Sequence, residues 1–178
     1  RLCTPGSEGI GECGRIAPHG IQGRTDAALQ EHHRKKLEEH VAKLERMYLG
    51  GPSNQYFEAG IELTDGRADI VVPIQEKFLD ATGSVHESVC FGAMVDAARF
   101  AVGSVTEAVV LSSVGFSFQL VRPVAEGELL ARARFMGTSE DHLLAEAVLT
   151  DLKGEEVGRA NGAFVKTDDP LTTEMGYR

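Results

Sequence analysis

One histidine, His86, stands at the start of a segment, Gly83 to Ala101 (GSVHESVCFGAMVDAARFA), that is otherwise almost wholly apolar or small. Val89, Phe91, Ala93, Met94, Ala97 and Ala98 leave so little polar surface that the segment is predicted to be a helix wrapped by other structure. Beyond its first turn the only charges are Asp96 and Arg99. A helix N-terminus presents free N–H groups and a positive dipole end, so the amides near Glu87 and Ser88 can receive an electron-rich oxygen. Each of these groups also has a plain structural role open to it. Asp96 and Arg99, three residues apart, fit a helix-face ion pair. Ser84-Val85-His86-Glu87 has capping-box spacing, which would make Glu87 a cap, and His86 could simply orient the loop.

The chain has 178 residues and is 42% hydrophobic, enough for one full core and near the size of a single domain. Its net charge of -9 argues against nucleic acid or an anionic membrane as partner, since both require clustered basic charge. Arg34-Lys35-Lys36 reads as a solvated helix face. Cys3, Cys13 and Cys90 are odd in number and lack ligand spacing, which suggests a reducing cytoplasm. His142 and the pair His32-His33 have no ligand partners at metal spacing and read as surface residues, so neither a metal nor another cofactor is implied. No run approaches the ~20 apolar residues of a membrane span, and the start lacks the apolar core of a secretory signal. The protein is expected to be neither exported nor inserted.

The elements that must position these groups follow from local pattern. Residues 1 to 24 are Gly-rich and read as a loose arm. Thr25 and Asp26 cap an N-terminal helix over 25–51, with apolar positions Leu29, Leu37, Val41, Leu44 and Tyr48 and a stop at Gly50-Gly51-Pro52. Tyr56–Leu63 and Arg67–Pro73 flank Asp65-Gly66 and predict a β-hairpin. After the apolar helix come a long strand over Ala108–Val121 and an antiparallel meander of strands near 127–137, 142–151 and 155–167. Gly115, Gly158 and Gly162 fall inside strands, where they permit bends or close backbone approach. The polar tail, 168–178, is expected to fray. The plan is α+β: one apolar helix covered by an antiparallel sheet.

Over residues 52 to 167 the sequence resembles the hot-dog-fold acyl-CoA thioesterases of the phenylacetate-degradation type. The residues that carry the resemblance are Gly83-Ser84-Val85-His86, the following VCFGAMVDAARFAV, the strand VVLSSVGFSFQLVRPVAEGELLARA with its Arg122-Pro123-Val124-Ala125-Glu126-Gly127, and Asp151-Leu152-Lys153-Gly154 before the final strand. The resemblance implies a curled antiparallel sheet around a long central helix, and dimers or dimers of dimers with the site between protomers. In the family the histidine is followed by two glycines, a carboxylate lies nine residues beyond it and an amide side chain six before. Here Glu87 and Ser88, Val95 and Asp80 hold those positions. Asp96 lies one residue later, turned by about 100° on an ideal helix.

Thioester hydrolysis needs a carboxylate to attack the carbonyl or activate water, together with donors for the oxyanion. The resemblance therefore implies acyl-CoA hydrolysis with Asp96 as the acid or base, the Glu87 and Ser88 amides as oxyanion donors, and His86 shaping the loop. Asp80, Ser112, Ser113 and Arg122 are candidate substrate contacts. Ser112 and Ser113 could equally be polar residues tolerated in a strand, and Arg122 could meet a CoA phosphate or pair with Glu126 or Glu128. The alternative is a hot-dog module that binds acyl-CoA without catalysis, prompted by Val95 and the replaced glycines. A hydratase or dehydratase is the least supported, because its His-plus-acid motif is missing.

Overall fold

A computed structural model describes residues 22–106 and 108–178, with side chains from residue 27 onward. Most of the expected arm, with Cys3 and Cys13, lies outside the described residues, as do the side chains of Thr25 and Asp26. The chain divides into two units, residues 1–34 and 35–178. The described part of the first is the start of helix α1 (Gln22–Gly50), where Arg34 pairs with Glu31 at 2.8 Å.

The second unit holds the rest of α1, then α2 (Pro52–Phe57), β1 (Gly60–Thr64), β2 (Arg67–Pro73), α3 (Glu87–Ser104), β3 (Val109–Leu120), β4 (Glu128–Ser139), β5 (His142–Asp151) and β6 (Glu156–Pro170). The six strands form one antiparallel sheet in the order β1-β2-β4-β5-β6-β3. It curls around α3, the architecture implied by the resemblance. Strand alternation supplies the inner face: Ile70 and Val72, Leu129 and Ala131, Ala147 and Leu149, Ala160 and Phe164 are buried against Met94, Ala97, Ala98, Ala101 and Val102 of α3. The apolar helix is wrapped because nearly every side it presents meets another element.

Asp65-Gly66 makes the two-residue turn between β1 and β2, with Thr64 opposite Arg67 and Gly66 at φ 69°. Two strand glycines allow close approach. A Cβ at Gly158 would lie 2.7 Å from the Gln119 carbonyl oxygen, and one at Gly162 would lie 2.7 Å from the Phe116 ring. Gly115 has open space instead and sits at a break in the β3–β6 register.

The structure departs from expectation at both ends of this unit. Tyr56 and Phe57 belong to α2, not to the hairpin, because Pro52 at the first helical positions after Gly51 favours a helix start. The buried Asn54 then ties α2 to β1, donating to the Ala59 carbonyl at 3.0 Å and accepting its N–H at 2.9 Å. The tail is also held. β6 continues to Pro170, the Leu171 N–H donates to the Ala108 carbonyl at 2.8 Å, and Tyr177 Oη lies 2.6 Å from His40 Nδ1. His40 Nε2 meets the Gly103 carbonyl at 2.9 Å, and Arg46 donates to the carbonyl of Arg178. Two apolar residues in a polar run, Leu171 and Tyr177, pack against the core where the segment's overall composition suggests a loose end.

Replacing Gly162 by valine is expected to cost about 1–3 kcal/mol through overpacking against Phe116 and Phe164, seen as a lower denaturant midpoint with an unchanged slope. An unchanged midpoint would mean that the sheet yields freely there.

Candidate functional site

The mouth of α3 is fixed by the loop before it. Asp80 Oδ1 accepts the Thr82 N–H at 2.7 Å, the Thr82 hydroxyl at 2.6 Å and the Ser84 N–H at 3.3 Å. These bonds, led by those from Thr82, hold the Asp80 carboxyl below the usual range. The Val85 N–H donates to the Val124 carbonyl and the His86 N–H to the Phe78 carbonyl, each at 2.8 Å. The loop is thereby anchored both to the segment after β3 and to the turn before it. Asp80 is thus a loop brace in this chain, with Oδ1 fully engaged.

His86 is the N-cap of α3. Its Nδ1 accepts the Ser88 N–H at 3.1 Å and lies 2.8 Å from the Ser88 hydroxyl. The capping box expected from Ser84 and Glu87 is not formed: the Ser84 N–H goes to Asp80, and Glu87 is an exposed first-turn residue. An imidazole nitrogen has taken the role that a serine oxygen takes at most N-caps. The Ser88 N–H, one of the two expected oxyanion donors, is therefore occupied by His86. Among the described residues no partner is found for the Glu87 N–H.

Asp96 lies ten residues beyond His86, about 15 Å along the helix axis at 1.5 Å per residue. One chain therefore keeps its carboxylate apart from its own helix mouth. Asp96 is half-buried, and among the described residues its carboxylate has neither a hydrogen bond nor an ion pair. Burial pushes its pKa up, opposed by the positive charge of Arg99. The buried Tyr48 hydroxyl of α1 is raised as well, by its own desolvation first and then by the charge of Asp96. The spacing-compatible ion pair with Arg99 is not made. Arg99 Nη2 instead donates to Ser113 Oγ at 3.3 Å, and among the described residues its buried Nε has no partner.

Ser112 and Ser113 are both exposed on β3. Arg122 donates from Nη2 to Asp151 Oδ2 at 2.6 Å, and to the carbonyls of Glu156 and Glu155 at 3.1 Å each. Its expected partners were Glu126 or Glu128. The partners found follow from Asp151, whose Oδ1 accepts the Lys153 and Glu155 N–H groups and so turns the β5–β6 corner toward the guanidinium. Arg122 is accordingly a brace for that corner.

The structure adds groups that sequence reading did not join to the site. Phe91, one turn into α3, has ring centroids 5.4 Å from both Phe116 and Phe118 on β3. Strand alternation puts those two on one face and was the available signal. Tyr48 was visible only as an apolar helix position. β3 itself ends the sheet order, leaving one edge of a 12-residue strand without a neighbour among the described residues.

Sheet order and the single wrapped helix define a hot-dog fold. No family model and no curated protein sequence matches the chain. Solved structures do. The chain is similar to the E. coli PaaI protein from the phenylacetic acid degradation operon, at 15% identity and a TM-score of 0.69, over 76% of this chain and 98% of that one. It is similar to a thioesterase family protein from Silicibacter pomeroyi at 20% identity and a TM-score of 0.65, covering 71% and 96% of the two chains. A phenylacetic acid degradation-related protein from Ralstonia eutropha matches at 18% identity and a TM-score of 0.63, covering 71% and 98%.

An unpaired, partly buried carboxylate destabilises the fold while ionised. Because the folded pKa of Asp96 is raised, the native state binds more protons than the unfolded state between the unfolded and folded values, so stability falls across that window as pH rises. Asp96→Asn is therefore expected to raise stability at pH 7 by about 1 kcal/mol. The gain should shrink as pH drops below the ordinary carboxylate range. Equal denaturation midpoints for the two proteins at both pH values would contradict this.

Proposed function

We propose that the protein hydrolyses an acyl-CoA thioester to a free acid and CoA, in a site shared between two copies of the chain. Asp96 of one copy faces the α3 mouth of the other and acts as the base that activates water. Water adds to the thioester carbonyl, the Glu87 N–H receives the oxyanion, and collapse breaks the C–S bond with the proton passing to the CoA sulfur. His86 fixes the shape of the mouth through Ser88, and the Phe91, Phe116 and Phe118 rings offer an apolar flank for the acyl group.

The observation that carries this reading is Asp96, a half-buried carboxylate without a partner among the described residues, on the central helix of a fold whose solved likenesses include a named thioesterase family protein. The separation of Asp96 from its own helix mouth supports a shared site, and the unpaired edge of β3 supplies a surface on which two sheets could join. We take the assembly to be a homodimer or a dimer of dimers. The free buried thiol of Cys90 agrees with a cytoplasmic setting. No described helix is long and apolar enough to cross a membrane.

A second reading, acyl-CoA binding without turnover, draws on the buried Val95 at the family's carboxylate position and on the engaged Ser88 N–H. A panel of short, medium and aryl acyl-CoAs separates the two. Hydrolysis should be measurable for the native chain, and Asp96→Asn should lower kcat by about 100-fold or more. The acid limb of the pH profile should lie above the ordinary carboxylate range, because the base must be ionised and its pKa is raised. Binding by calorimetry without turnover would favour the second reading; neither binding nor turnover would remove both. Val114→Lys, at an exposed position on β3, should reduce dimer content in sedimentation and lower activity in parallel.

A further inference from the structure

Beside the second half of α3 lies an open groove of about 210 Å³, walled by Leu44 and Met47 of α1, Phe100 of α3, Leu111 of β3, and Leu171 and Met175 of the C-terminal segment. Arg99 is the one charged residue among its lining residues. Among the described residues its buried Nε has no hydrogen-bond partner, Nη2 reaches only the Ser113 hydroxyl at 3.3 Å, and no carboxylate pairs with it. Asp96, one turn earlier, acts on it through its field alone. A buried guanidinium N–H without an acceptor costs stability, and an anion arriving there would remove that cost.

We propose that this groove binds a free medium-chain linear carboxylate, its two oxygens on the Arg99 guanidinium and its alkyl chain along the apolar walls. Three observations select that ligand. The planar fork of arginine matches two coplanar oxygens. The single guanidinium offsets one negative charge, whereas a phosphate dianion would be left under-neutralised, the more so beside Asp96. The volume of about 210 Å³ leaves room for an alkyl chain of medium length but not a long one. The site is independent of hydrolysis and is tested without any thioester.

Calorimetric titration of the full chain with octanoate is expected to show one site per chain. Octanol, which lacks the charge, and octyl phosphate should each bind at least about tenfold more weakly. Arg99→Met should weaken octanoate about tenfold, the loss of a charge-assisted bond. Gly103→Ala provides a second variant that keeps the guanidinium. A Cβ there would stand 3.7 Å from Leu44 Cδ1 and 3.9 Å from Leu111 Cδ1, an ordinary contact that narrows the groove without a clash. It should fold and bind octanoate a few-fold more weakly. No octanoate binding by the native chain, equal affinity for octanol, or unchanged affinity in both variants would overturn the site; equal binding of octyl phosphate would overturn its assignment to carboxylates. Hydrolysis lost in Asp96→Asn with octanoate binding retained would separate this groove from the thioester site.

Discussion

How near the sheet can come to α3 is set by alanine meeting alanine. Ala97, Ala98 and Ala101 on the helix are fully buried, and Ala68, Ala131, Ala145, Ala147 and Ala160 on the sheet are nearly so. Small residues on both surfaces bring the backbones close, and the larger Ile70, Met94, Leu129, Leu149 and Phe164 fill the spaces between them. Enlarging any of the alanines would push the sheet outward and open its curl. The position of every chemical group on α3 is inherited from this contact, because a helix gripped on most sides has no freedom to rotate. Asp96 thus stays half-buried without a partner: the fold fixes where its side chain begins, and the available neighbours leave it unpaired.

Electrostatics around α3 then follow from what the packing leaves unmatched. Asp80, Arg122 and Asp151 are also charged groups near turns, but each is satisfied by several hydrogen bonds and serves to hold the chain. Asp96 and Arg99 are the contrast. Each is partly desolvated, each lacks a full set of partners, and neither closes on the other. Buried polar groups are ordinarily satisfied, so an unmatched acid and an unmatched base on adjacent turns of one helix set this region apart from the rest of the molecule.

Much of this was legible in the sequence. Strand alternation, the Asp65-Gly66 turn and the unbroken apolar helix depend on local chemistry, and local chemistry is what a sequence displays most directly. His86 at the helix mouth was legible for the same reason. Its role as the cap was not, since Ser84 and Glu87 offered the more familiar spacing and only the loop brace by Asp80 diverted the Ser84 N–H. The partners of Arg122 were hidden by distance, with Asp151 brought near by a turn whose shape depends on its own carboxylate. The tail misled through its average polarity, because two well-placed apolar side chains, Leu171 and Tyr177, outweigh the residues around them. Tyr56 and Phe57 have strand-favouring side chains, yet the proline before them decided the local backbone.

His40 joins segments that lie far apart in the sequence. Its ring touches both the Gly103 carbonyl at the close of α3 and the Tyr177 hydroxyl, a separation of 137 residues in the second case. One fastening of helix α1 is thus a tyrosine that follows the last strand of the sheet. Helix α1 is therefore fully seated only once the segment after β6 has packed against it, which couples two segments that local sequence does not connect. Loosening His40 would free the close of α3 and the segment after β6 together.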